Sequence, residues 1–134
     1  MPVPYHLISR RNITLEEFNG FLQRCNGILD QGLSFSGRIS DGEKHVWISL
    51  ANEELKSYAP DEQRQLFELL RGQPEICILL DVSRTSGSEF LAINFACIIA
   101  AESGPVILDD LNGHFLTDKD LYELRNRRLG FPRC

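Results

Sequence analysis

Two aspartates and a histidine near the end of the chain have the residue types of a metal or acid–base site. Asp109 and Asp110 are adjacent, and His114 follows across an Asn-Gly dipeptide. Converging carboxylates bind hard cations, and an imidazole can complete such a site. However, successive side chains on a strand point to opposite faces, so we expect the two carboxylates to diverge. Acids that enter an Asn-Gly turn are also ordinary turn residues.

The enzyme alternative is a small metal-assisted hydrolase. Asp81 ends a predicted strand, so the candidate catalytic residues are Asp81, Asp109, Asp110 and His114. Other catalytic patterns are missing from the chain: Ser86-Gly87-Ser88 lacks the G-x-S-x-G turn, and no G-x-x-x-x-G-K loop occurs. Because no catalytic pattern is complete, we predict a protein that is not an enzyme and that holds neither a metal nor a cofactor.

The charge distribution favours a basic protein partner. The chain has 19 acidic and 14 basic residues, for a net charge of −5. Residues 1–117 hold 16 acidic and 9 basic residues (−7), whereas residues 118–134 hold 3 and 5 (+2). An acidic body repels phosphate backbones and attracts cationic proteins. We therefore predict no nucleic-acid partner, although the basic tail leaves that alternative open.

Cysteine usage and the apolar runs predict a cytoplasmic protein without a membrane segment. The four cysteines share no C-x-x-C spacing, and the first three, Cys25, Cys77 and Cys97, lie in apolar runs typical of buried thiols. The N-terminus has no signal-peptide pattern. The longest apolar run, residues 90–101, is interrupted by Asn94 and is shorter than the roughly 20 residues that a bilayer requires.

The clearest structural signal is the dipeptide Asp41-Gly42, which predicts a two-residue β-hairpin turn. The register that this turn implies separates a polar face from an apolar face. Its cross-strand pairs are Arg38 with His45, Ser36 with Trp47, Ser34 with Ser49, Leu33 with Leu50, Phe35 with Ile48 and Gly37 with Val46.

The order of elements predicts an α+β fold with a ferredoxin-like βαββαβ core in a single domain, residues 1–134. We expect strands at 3–9, 33–39, 44–51 and 76–82. The first helix has the capping box Thr14–Glu17, and the second begins at Pro60. A C-terminal extension follows, with an apolar helix from residue 88, a hairpin at Asn112-Gly113 and a last helix. Because the apolar helix has no polar face, we expect it to be buried on the sheet face opposite the first two helices.

Seven residues are the predicted partner-binding set. Trp47 lies on the polar face of its hairpin, where an exposed tryptophan favours recognition; alternatively, the apolar helix covers it and it fills a second core. A surplus of carboxylates between residues 41 and 62 predicts a docking surface for a basic protein. The full set is Asp41, Glu43, Trp47, Glu53, Glu54, Asp61 and Glu62. A sheet-face nucleic-acid-binding module, with Trp47 and Arg38 against bases, is the weakest alternative.

In its size, charge and element order the chain resembles ferredoxin-like immunity proteins of bacterial toxin systems, including contact-dependent growth inhibition. Two stretches contribute to the resemblance, the helix Ser88-Glu-Phe-Leu-Ala-Ile-Asn-Phe-Ala96 and the segment Gly104-Pro-Val-Ile-Leu-Asp-Asp-Leu-Asn-Gly113. The resemblance implies stoichiometric inhibition of a cognate basic toxin domain, often a nuclease, in the cytosol. The resemblance assigns no functional role to any individual residue, and it does not decide whether the protein is a monomer or a homodimer.

Overall fold

Seven antiparallel strands form one sheet with helices on both faces. The computed structural model describes residues 2–30 and 35–127. The sheet order is β2-β3-β4-β5-β1-β6-β7. The strands are β1 Val3–Ser9, β2 Ile28–Leu29, β3 Ser36–Asp41, β4 Lys44–Leu50, β5 Ile76–Val82, β6 Val106–Asp109 and β7 Phe115–Thr117. The helices are α1 Leu15–Arg24, α2 Pro60–Leu70, α3 Ser88–Ser103 and α4 Asp118–Arg127, with a 3-10 helix at Asn52–Ser57.

The α+β class is confirmed, but the ferredoxin-like strand arrangement is not. That arrangement would place β1 between β4 and β5. Instead β5 pairs with both β4 and β1, and the other edge of β1 pairs with β6. The central place of β5 suits its nearly continuous apolar sequence, because a central strand buries both edges and both faces. The C-terminal hairpin strands therefore extend the main sheet.

The first hairpin forms with a register two residues away from the predicted one. Asp41 pairs with Lys44 and Arg38 with Trp47, so the turn residues are Gly42 and Glu43. Gly42 has a φ of +63°, as a type II′ turn requires of its first central residue. Because strand side chains alternate with a period of two, this shift leaves every side chain on its predicted face. The predicted strand residues Leu33 and Ser34 lie outside the described residues.

The apolar helix α3 lies on the same sheet face as α1, which corrects the predicted placement. α3 packs against α1, α4 and the sheet, and this enclosure explains why it needs no polar face. Tyr58, which follows the 3-10 helix, packs with Leu66 and Leu70 of α2 in a smaller core on the other face. This second layer leaves the β3–β4 end of its face open, where Arg38 and Trp47 are exposed.

Edge strand β2 packs closely against β3 at Gly37. A Cβ atom at this position would lie 2.5 Å from Leu22 Cδ1 and 2.8 Å from the carbonyl oxygen of Ile28. We expect Gly37→Ala to lower the free energy of unfolding by about 2 kcal/mol, because the backbone contact cannot relax without moving β2. Urea denaturation measures this change.

Gly20→Ala is the matched control, since Gly20 lies within α1 with no atom near its would-be Cβ. The control should be neutral or stabilising by up to about 1 kcal/mol, because alanine favours the helix. A Gly37→Ala variant as stable as wild type would contradict the close contact.

Candidate functional site

An open cavity of about 590 Å³ lies on the sheet face that α2 partly covers. The 3-10 helix and α2 supply its glutamates, while all the strands except β2 and β3, together with the β6–β7 connection, supply most of the remaining lining. Its lining includes Glu53, Glu54, Glu62, His6, Tyr58 and Asp109. The cavity thus joins three of the predicted partner-binding glutamates to a polar group that the sequence pattern did not reveal.

That polar group is a buried hydrogen-bond chain through His6, Tyr58 and Asp109. His6 and Asp109 are direct cross-strand neighbours on β1 and β6, so their side chains share a face. His6 Nδ1 lies 2.9 Å from the Tyr58 hydroxyl, which donates to Asp109 Oδ2 at 2.5 Å. Each of the three side chains is less than a tenth exposed. Tyr58 directly follows the 3-10 helix, so the position of that short helix places Tyr58 between His6 and Asp109.

The hydrogen-bond directions in this group follow from the position of the Tyr58 proton. Both oxygens of Asp109 accept, one from Tyr58 and the other from the Leu111 amide at 2.8 Å, as expected of a carboxylate. Burial, followed by the hydrogen bond to Asp109, raises the pKa of Tyr58 far above its usual range, so the phenol keeps its proton. Since that proton goes to Asp109, the phenol oxygen accepts from His6 Nδ1–H. With its only proton on Nδ1, the neutral imidazole presents Nε2 as a hydrogen-bond acceptor.

The predicted acidic surface divides into two patches. Asp41 ends β3 and Glu43 lies in the β3–β4 turn, whereas Glu53 and Glu54 belong to the 3-10 helix after β4. The length of β4 separates these groups by about 20 Å, at roughly 3.3 Å per residue. Asp61 and Glu62 lie in the first turn of α2, and Glu62 lines the cavity with Glu53 and Glu54. We call Glu53, Glu54 and Glu62 the cavity glutamates.

Trp47 is exposed, on the sheet face opposite α3. Its side chain is 39% exposed and stacks on His45 with the ring centroids 5.5 Å apart. Arg38 and Asp81 are its cross-strand neighbours on β3 and β5. The alternative in which α3 covers Trp47 is therefore wrong, and the side chain is accessible for contact.

Of the four residues of the hydrolase alternative, only Asp110 and His114 bond to each other. Asp109 is hydrogen-bonded to Tyr58, while Asp81 is the cross-strand neighbour of Trp47 and Pro4. Asp110 Oδ2 contacts His114 Nδ1 at 2.5 Å, and Asp110 Oδ1 accepts from the Asn112 and His114 amides. Burial would raise the pKa of Asp110, but these hydrogen bonds outweigh it and lower the pKa.

The expected divergence of Asp109 and Asp110 is confirmed by their neighbours. Asp110 contacts His114 and accepts from the Asn112 amide. Asp109 instead contacts Tyr58 on the α2 side. Within residues 2–30 and 35–127, no three histidine, cysteine or acidic side chains are grouped to hold a metal ion.

The described cysteines are free thiols. Cys77 and Cys97 are buried as predicted, whereas Cys25 is only half-buried. Burial raises the pKa of Cys25 to about 11 and that of Cys77 to about 12. Cys134 lies outside the described residues.

Because only thiolates react rapidly with iodoacetamide, we expect Cys77 and Cys97 to stay unmodified in the folded protein at pH 7.5. Peptide mass mapping after a short treatment measures this, with the urea-unfolded chain as the control in which both are modified. Rapid labelling of Cys77 in the native protein would contradict its burial.

No helix within the described part of the chain is long and apolar enough to cross a membrane. The basic tail proposed for the nucleic-acid alternative is only partly described. Arg127 on α4 pairs with Glu123 at 3.1 Å, and residues 128–134 lie outside the described residues. Comparisons of the chain with protein-family models, curated proteins and solved structures found no match.

Proposed function

We propose that the protein is an immunity protein, which binds a cognate toxin domain with a basic surface and neutralises it by stoichiometric inhibition in the cytoplasm. One observation supports this most directly: the cavity glutamates have no lysine, arginine or histidine partner among the described residues. The same holds for Asp41, Glu43 and Asp61. Carboxylates gathered at a cavity repel one another, and a cationic partner would relieve that repulsion.

Apolar side chains accompany these carboxylates. Leu50 and Leu111 line the cavity and are 40% and 43% exposed, and Trp47 is exposed further along β4. Exposed apolar and aromatic side chains next to unpaired charge are typical of protein interfaces, where the apolar groups supply affinity and the charges select the partner.

A nuclease toxin fits this surface because its active cleft must carry cations that bind phosphate. Carboxylates that pair with those cations would keep nucleic acid out of the cleft. Charge complementarity would also speed association, which benefits a protein that must capture a toxin before it acts.

The test is co-expression with the toxin domain encoded next to this chain. We expect restored growth, a complex with one copy of each chain by light scattering, and an association rate that falls steeply as salt is raised. A neighbouring toxin that neither binds the purified protein nor loses toxicity in its presence would contradict the proposal.

A further inference from the structure

We propose that the cavity binds the guanidinium group of an arginine side chain from the partner, between Glu54 and Glu62 and with His6 Nε2 as a further acceptor. This inference rests on the proposed function and names the chemical group that the site selects.

His6 presents its Nε2 atom to the cavity. Its Nδ1–H donates to Tyr58, so in the neutral imidazole Nε2 has a free lone pair. Nε2 has no hydrogen-bond partner among the described residues. Only one described side-chain polar atom is both fully buried and unpaired, and it is Ser103 Oγ, so Nε2 is not fully buried. Nε2 therefore keeps contact with solvent, and the solvent space that His6 lines is the cavity.

The carboxylates of Glu54 and Glu62 have unused acceptor capacity. Glu62 Oε1 accepts from the Ala59 amide at 2.9 Å, and Glu54 Oε2 is 3.3 Å from the Ser57 hydroxyl. The other oxygen of each carboxylate has no hydrogen-bond donor among the described residues. The cavity thus offers acceptors and negative charge, which excludes anions and favours a cation with several N–H donors.

Guanidinium fits these acceptors better than ammonium does. It has five N–H donors in a plane, no acceptor, and weaker hydration than a lysine head group. The cavity is also partly apolar, with Leu50, Leu79 and Phe115 in its lining, and such side chains can contact the flat face and the methylene stem of arginine. Its volume of about 590 Å³ falls within the roughly 300–1,000 Å³ of small-molecule pockets.

The experiment uses N-acetyl-arginine amide and its neutral isostere N-acetyl-citrulline amide as probes of the full-length protein. We expect the arginine probe to shift the His6 ring resonances with a dissociation constant of about 1 mM, and the citrulline probe to bind at least about tenfold more weakly. Equal binding of both probes, or shifts that bypass His6 and Tyr58, would overturn the inference.

The double variant Glu54→Gln, Glu62→Gln tests the carboxylates directly. Glutamine can still accept from the Ala59 amide and the Ser57 hydroxyl, so the variant should fold normally, which a thermal melt checks. We expect it to bind the arginine probe at least about tenfold more weakly than wild type. Glu68→Gln, an exposed position on α2 that does not line the cavity, is the control that should leave binding unchanged. Undiminished binding by the folded double variant would overturn the inference.

The toxin separates this inference from the proposed function. If the double variant binds the toxin as tightly as wild type does, the toxin is an established partner but the arginine pocket is wrong. If wild type binds the arginine probe at His6 but not the toxin, the pocket stands and the immunity function is wrong.

Discussion

Replacing both Glu54 and Glu62 by lysine is expected to weaken toxin binding about a thousandfold, or roughly 4 kcal/mol. Both glutamates line the cavity on the α2 side of the sheet. The substitution removes two attractive carboxylates and places two cations against a basic partner, and like charges at an interface cost several kcal/mol. Isothermal titration calorimetry with an inactivated toxin domain measures the change, and growth protection should be lost in parallel.

The control variant is Asp41→Lys, Glu43→Lys at the β3–β4 turn. It changes the net charge by the same amount, but at the opposite end of β4. We expect a loss of about tenfold, mainly in the association rate, because distant surface charge steers the encounter without close contact. If the turn variant loses more affinity than the cavity variant, the interface is centred on the hairpin turn and the cavity assignment is wrong.

Tyr58→Phe is expected to lower the free energy of unfolding by about 3 kcal/mol. The hydroxyl accepts from His6 and donates to Asp109, and all three side chains are buried. Its removal leaves a carboxylate oxygen and an imidazole N–H without partners, and each unsatisfied buried group costs about 1–3 kcal/mol. Chemical denaturation with urea, monitored by Trp47 fluorescence, measures the loss.

Tyr122→Phe is the matched control, because Tyr122 on α4 is only half-buried and the Arg125 guanidinium lies 5.4 Å from its ring centroid. This contact does not require the hydroxyl, so we expect a change within about 0.5 kcal/mol. If Tyr58→Phe were equally mild, water would have to satisfy His6 and Asp109, and the tautomer assigned to His6 would lose its support.

Local features of the fold were predictable from the order of residues. Thr14 and Glu17 form the predicted capping box, with Thr14 Oγ1 accepting from the Glu17 amide at 3.1 Å. Pro60 begins α2 as its sequence context indicates. The predicted faces of the hairpin were also correct despite the shifted turn. Strand side chains alternate with a period of two, so a shift of two residues leaves each side chain on the same face.

The same local patterns misjudged where α1 ends. Apolar residues at positions 15, 18, 22, 25 and 29 have helical spacing and predict one helix that includes Leu29. However, α1 ends at Arg24, and Leu29 pairs with Gly37 in the sheet. Asn26 has a φ of +57°, which interrupts the helix before β2. Here the pairing of β2 with β3 outweighed a continuous apolar stripe.

Residue order alone therefore determined the kinds of elements, most of their boundaries and the surplus of negative charge, because capping, alternation and composition act over a few residues. Tertiary structure decided the central place of β5, the side on which α3 lies and the division of the acidic surface into two patches. It also brought together His6, Tyr58 and Asp109, with 52 and 51 residues separating the bonded pairs. No local pattern encodes contacts over such separations, because they depend on which strands pair and which helix covers each face.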